Sequence, residues 1–150
     1  MKDSFCIKGK VKIEVFNSNG ELKEEQSFDN LVTTAGKNFI ARKLVDQVDS
    51  ERIFSIGIGS GSTAANVADT ELETELANVE NSYNIYDELA ANKTVHLTRF
   101  GQGVGTGTIS EVGLFTNADP KVLVCRAIVG TPIVKDADEI INISWELTVG

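Results

Sequence analysis

The feature that most constrains the fold of this chain is a strict alternation of apolar and polar side chains. It is clearest near the C-terminus and recurs in residues 5–15. A period of two is the repeat of a β-strand, whose successive side chains point to opposite faces of a sheet. The pattern therefore predicts strands with one face in a core. The alternating C-terminal apolar residues are Ile141, Ile143, Trp145, Leu147 and Val149.

Further strand patterns, separated by turn signals, occupy much of the remaining chain. Residues 78–92 fit either an irregular strand through Tyr83, Ile85 and Tyr86 or a loop over the core, so we expect roughly seven or eight strands. The polar return strand after the Asn17–Gly20 turn is predicted to lie at a sheet edge. The other predicted strands are residues 5–15, 21–28, 53–58, 95–100, 109–115, 122–129, with a break at Thr131-Pro132, and 141–149.

Two short helices are predicted between the early strands. The first runs from Lys37 to Val45, with Thr33 or Thr34 as its N-cap and an apolar stripe on one side. The second follows Asp69 or Thr70, where a glutamate three residues after the threonine resembles a capping box. Its apolar face would consist of Leu72 and Leu76.

These elements predict a single mainly β domain over residues 1–150, folded as an antiparallel β-sandwich with two short helices inserted. The chain has 150 residues and is 41% hydrophobic, enough for one core. A βαβ arrangement fits less well, because the strands of the C-terminal half have no helical pattern between them.

Glycines recur where close approach of another backbone would be useful. Since a glycine in a strand marks a bulge, a bend or a bare face, we predict that they serve packing or assembly. The G-x-G-x-G at residues 57–61 lacks the spacing of a dinucleotide-binding loop. The predicted packing and assembly residues are Gly57, Gly59, Gly61, Gly101, Gly103, Gly105, Gly113 and Trp145.

Charge and cysteine content narrow the function further. The formal net charge is −8, which disfavours nonspecific binding to nucleic acid or anionic lipid. The N-terminus MKDSFCIKGK has no apolar signal region, and glycines interrupt every apolar run, so we expect a protein made in a cytoplasm. Cys6 and Cys125 are interpreted as buried thiols, with a single bridge between them as the alternative.

No catalytic, cofactor or metal site is predicted from the residues. His96, the only histidine, lies in no recognisable triad motif, and we interpret it as a strand residue on a polar face. The acidic groups at residues 71–75 and 136–139 are interpreted as solvated surface. A weak calcium site at Asp136 and Asp138 remains an alternative, although the ligand spacing of a dedicated loop is missing.

Four segments together resemble small structural proteins of tailed-bacteriophage virions. The third is similar to an I-x-E-x-G-L-F strand, and the fourth to a closing I-x-I-x-W-x-L strand. The four segments are NLVTTAGKNFIA at residues 30–41, IGIGSGSTAA with the following DTEL and EL at residues 56–76, TISEVGLF at residues 108–115, and residues 141–149.

This resemblance implies a noncatalytic β-sandwich that multimerises, with a trimer among the possible states, and docks on other virion proteins. It would be a tail or fibre-attachment component, contacting tail or portal-collar proteins, or a capsid decoration protein. Two other hypotheses remain. One is a carbohydrate-binding adhesion module that uses Tyr83 and Tyr86. The other is an acidic-residue hydrolase that uses Glu111, the acid nearest a buried strand.

Overall fold

Ten strands and one helix make up the part of the chain that the computed structural model describes, residues 6–45, 47 and 50–150. Phe5, the predicted start of the first strand, lies outside these residues. The elements are β1 (Ile7–Phe16), β2 (Leu22–Asp29), β3 (Leu31–Val32), α1 (Thr34–Leu44), β4 (Ile53–Gly59), β5 (Glu75–Glu80), β6 (Tyr83–Asp87), β7 (Lys93–Phe100), β8 (Gly107–Thr116), β9 (Leu123–Lys135) and β10 (Ile140–Val149).

The strands form two five-stranded antiparallel sheets. The first sheet has the order β2-β1-β10-β7-β6, and the second has the order β3-β9-β8-β4-β5. Chain neighbours such as β1 and β2 pair directly, whereas β10 returns from the C-terminus to lie between β1 and β7. The mainly β, antiparallel prediction is confirmed, as is the placement of β2 at an edge.

One hydrophobic core unites the two sheets, because the alternating residues of each sheet face the other. Within the first sheet, Val11 lies opposite Trp145 and Ile13 opposite Ile143. In the second sheet, inward-facing side chains of β4, β8 and β9 belong to the same cluster. Its core side chains include Ile56, Ile58, Val112, Leu114 and Ala127.

The helix is capped by one of the two predicted threonines, but it begins at Thr34, three residues before the predicted start at Lys37. The Thr33 side chain accepts a hydrogen bond from the Gly36 N–H at 2.9 Å, and its hydroxyl donates to the Leu123 carbonyl at 2.6 Å. This threonine therefore satisfies a free N–H at the helix start and ties the helix to β9. Gly36 lies so close to Val124 that a Cβ there would be 2.3 Å from the Val124 carbonyl oxygen.

The second predicted helix does not form. Residues 60–74 are a loop without a helix or strand, and Leu76 belongs to β5. Asp69 caps no helix, because its carboxylate accepts from the Asn66 N–H at 2.8 Å and pairs with Arg126. The groups that would have capped a helix here, such as the Asp69 carboxylate and the Glu73 N–H, instead bond to Arg126 and Glu111.

Several other predictions need correction. Ten strands are found where seven or eight were expected, because β3 and β5 were missed. Of the two interpretations of residues 78–92, the strand through Tyr83, Ile85 and Tyr86 is confirmed as β6. β9 continues through Pro132, because the β8–β9 pairing shifts register between Ile109 and Glu111 and accommodates the proline there. Cys125 is buried as predicted but Cys6 is exposed, and both thiols are free.

Candidate functional site

The most organised polar cluster is a buried ion pair on the outer face of the second sheet. Glu111 of β8 is fully buried and Arg126 of β9 is 2% exposed. The Arg126 Nε donates to Glu111 Oε2 at 3.0 Å, and its Nη2 lies 2.9 Å from the same oxygen. Two charges removed from water in this way need further hydrogen bonds to be stable.

The loop of residues 60–74 supplies those hydrogen bonds from its backbone. Glu111 Oε1 accepts from the N–H groups of Gly61 at 3.0 Å and Thr74 at 2.7 Å. Glu111 Oε2 accepts from the Glu73 N–H at 3.0 Å. The Glu111 carboxylate therefore fixes both ends of the loop against the sheet.

Arg126 fixes the middle of the same loop. Its Nη1 donates to Asp69 Oδ2 at 3.0 Å, and its Nη2 donates to the Thr63 carbonyl at 2.9 Å. The Glu73 carboxylate accepts from the Thr63 N–H at 3.0 Å, which together with the nearby Arg126 lowers the pKa of Glu73. Donors occupy both Glu111 oxygens, so this carboxylate has a structural role and presents no free oxygen to a substrate.

Most of the glycines predicted for assembly face groups of their own chain. Gly57 lies opposite Gly113 in the sheet, and a Cβ on Gly113 would meet Leu72 at 2.9 Å. Gly59 and Gly61 lie against Glu111, so bare backbone lets the loop lie directly on the sheet.

The remaining members of that predicted set divide into two groups. Gly105 lies against Ile58, and Trp145 is buried in the core, where its Nε1 donates to Asn30 Oδ1 at 2.8 Å. At Gly101 and Gly103, a Cβ would meet no other atom of the described residues within 4 Å. These two glycines are the members of the set that another chain could approach without displacing a side chain.

His96 lies on the inner face of the first sheet, opposite Trp145, and not on a polar outer face as predicted. It is 5% exposed, and its two ring nitrogens lie 2.6 Å from Asn84 Oδ1 and 3.0 Å from Thr94 Oγ1. Burial lowers the pKa of His96 to about 4, so the ring is neutral near pH 7. His96 is therefore a buried, neutral histidine whose two ring nitrogens both have hydrogen-bond partners within the chain.

The acidic turn between β9 and β10 is partly neutralised by lysine. Glu139 is 3% exposed, accepts from Lys23 Nζ at 2.8 Å, and accepts from the Asp136 N–H at 2.7 Å. The Lys23 hydrogen bond lowers the pKa of Glu139. In the described ranges, no group of three or more metal-ligating side chains comes together.

A groove lies between α1 and the start of β1. Its volume is about 860 Å³, and its wall is largely apolar. No sequence pattern predicted it, because its two sides are distant in the chain. Its lining residues are Cys6, Ile7, Lys8, Gly9, Asp29, Asn30, Leu31, Val32, Lys37, Ile40, Ala41 and Leu44.

A second exposed surface lies at β6 and the tip loop, which we define as residues 88–92. Tyr83 and Tyr86 are 43% and 58% exposed, and Leu89 is 99% exposed. β6 is an edge strand, so one side of its backbone has no partner among the ten described strands. Edges and apolar tips of this kind favour contacts with other proteins.

Comparison with known proteins yields no assignment. The chain matches no protein-family model, no curated protein and no solved structure. The described part contains no helix long and apolar enough to cross a membrane.

Proposed function

We propose that this chain is a noncatalytic structural protein of a tailed-phage virion, built as a β-sandwich. It would dock on the particle as a tail or fibre-attachment component or as a capsid decoration protein. The observation that carries the proposal is that the residues behind the phage resemblance have structural roles. Thr33 caps the helix, Glu111 holds the loop of residues 60–74, and Trp145 lies in the core.

The distribution of polar groups supports a scaffold over an enzyme. Glu111, Arg126 and His96 are the groups that a catalytic site would be expected to use, and each is buried with its partners inside the chain. Exposed apolar groups are instead available at the groove and at β6. Such groups suit contacts between proteins, and the net charge of −8 suits docking on a basic surface.

The direct test is the location of the protein in phage particles. An antibody against the chain should label gradient-purified virions at one fixed position, on the head or on the tail, when viewed by electron microscopy. Added protein should also cosediment with particles that lack it. A protein that is abundant in the lysate and absent from purified particles would contradict the proposal.

A carbohydrate-binding adhesion module is the second candidate, because Tyr83 and Tyr86 are exposed. However, Tyr83 pairs with Leu97 and Tyr86 with Thr94, so the two rings, three residues apart, project from opposite faces of β6. They do not form one stacking platform. Titration of glycans against tyrosine fluorescence separates the candidates, since saturable quenching that Tyr86→Ala abolishes would favour the adhesion module.

A further inference from the structure

The groove has the chemistry of a site for an apolar group. Ile7, Leu31 and Ile40 are half-buried in its wall, and Leu44 is 78% exposed at its helical side. Filling the groove would remove this apolar surface from water, which is the main favourable term in protein association.

Polar groups of the groove specify what else its occupant should carry. The side chains of Lys8 and Lys37 are exposed along its wall and outnumber the one acidic side chain there, Asp29. The groove therefore suits an occupant with an apolar side chain and a negative charge.

The tip loop has both features. Leu89 is 99% exposed, and the neighbouring Glu88 is also exposed. The loop is also ordered in advance, because Asp87 Oδ1 accepts from the N–H groups of Leu89 at 3.0 Å and Ala90 at 3.2 Å. An ordered loop loses less entropy on docking than a free one.

We propose that the tip loop of one copy docks in the groove of a second copy, with Leu89 inserted among the apolar side chains and Glu88 near Lys37. This contact rests on the proposed structural role, in which the chain multimerises. Both surfaces lie at one end of the first sheet, since Cys6 exchanges backbone hydrogen bonds with Gly150, and Val149 donates its N–H to the Asn92 carbonyl at 2.9 Å. One end of each copy thus presents both halves of the contact.

Complementary variants test the contact by sedimentation equilibrium. Leu89→Glu removes the apolar group of the tip, and Ala41→Glu places an acid in the groove. Each alone should weaken self-association of the full chain at least about tenfold, as expected for one unburied leucine. An equimolar mixture should associate more tightly than either alone, because one variant keeps the groove and the other keeps the tip. Leu22→Glu, at the other end of the first sheet, is the matched control and should associate like the wild type.

A charge exchange gives an independent test. Glu88→Lys and Lys37→Glu should each weaken association, and the double variant should recover it, with the recovery smaller at high salt. All positions are exposed, so thermal unfolding should confirm that each variant folds.

A wild-type chain that is monomeric at high concentration, or variants that fail to complement, would overturn this contact. Cosedimentation of the chain with particles would then still support the virion role. Conversely, complementing variants of a chain that never associates with particles would support the contact and contradict the virion role.

Discussion

Replacement of Glu111 by glutamine should release the loop of residues 60–74 while leaving the sheets in place. Glutamine has nearly the shape of glutamate, but one of its terminal atoms is a donor. At the Oε1 position the amide NH2 would face the N–H groups of Gly61 and Thr74, and at the Oε2 position it would face Glu73 N–H and Arg126. At least two donors lose their acceptor in either orientation.

The expected loss of unfolding free energy is about 3 kcal/mol. Breaking a buried ion pair by removing one charge typically costs about 3–5 kcal/mol, because the other charge stays buried. The lower value applies here because Arg126 retains Asp69, whose Oδ2 lies 3.0 Å from its Nη1. Each buried N–H left without an acceptor adds about 1–3 kcal/mol locally, which partial opening of the loop would relieve.

Urea unfolding followed by tryptophan fluorescence measures this loss, since Trp145 is the only tryptophan and is fully buried. Hydrogen exchange should accelerate at Gly61, Glu73 and Thr74 before global unfolding. Glu71→Gln, an exposed substitution in the same loop, should change stability by less than about 0.5 kcal/mol. A loss below about 1 kcal/mol for Glu111→Gln, with unchanged exchange at the three amides, would refute this account.

Three further predictions follow from single groups. Gly36→Ala should destabilise by about 1–3 kcal/mol in chemical denaturation, although alanine usually favours helices, because its Cβ would lie 2.3 Å from the Val124 carbonyl oxygen; stabilisation would contradict this packing. Burial lowers the pKa of His96 from 6.5 to about 4, so the unfolded chain binds the proton more readily, and stability should fall by up to about 3 kcal/mol from pH 6.5 to 4. NMR titration should show the low pKa, and His96→Asn should flatten that part of the stability profile. Ellman's reagent should label Cys6 quickly and Cys125 only on unfolding, because Cys125 is buried and its pKa is raised to about 12; rapid labelling of both would exclude the buried placement.

Local sequence patterns predicted the elements in which apolar and polar residues alternate regularly or in which a capping residue marks the helix start. β10 and β1 follow their alternation, and α1 follows its cap at Thr33. The same reasoning failed at residues 69–76, where the capping pattern was present but its groups bond to Glu111 and Arg126. Those two partners are 38 or more residues away from Glu73 and Asp69 in sequence, so no local pattern could indicate them.

The two candidate surfaces, the groove and β6 with the tip loop, also depend on contacts that no local sequence pattern indicates. The sequence offered Tyr83 and Tyr86 as the one plausible aromatic pair for a sugar, but only the register of β6 against β7 places them on opposite faces. The groove combines β1, the segment before α1 and the helix itself, so it exists only after these elements pack.

The sequence by itself determined that the chain is mainly β, where most of its strands run, and that it carries an excess of negative charge. The period of the apolar residues and the composition are properties of the sequence itself, so they can be determined without knowledge of the fold. Only the tertiary structure decided that the glycines of β4 and β8 lie beneath the chain's own loop, that Glu111 and Arg126 meet, and that the tip loop and groove share one end. These features depend on pairings between distant segments, which the packing of the two sheets brings into contact.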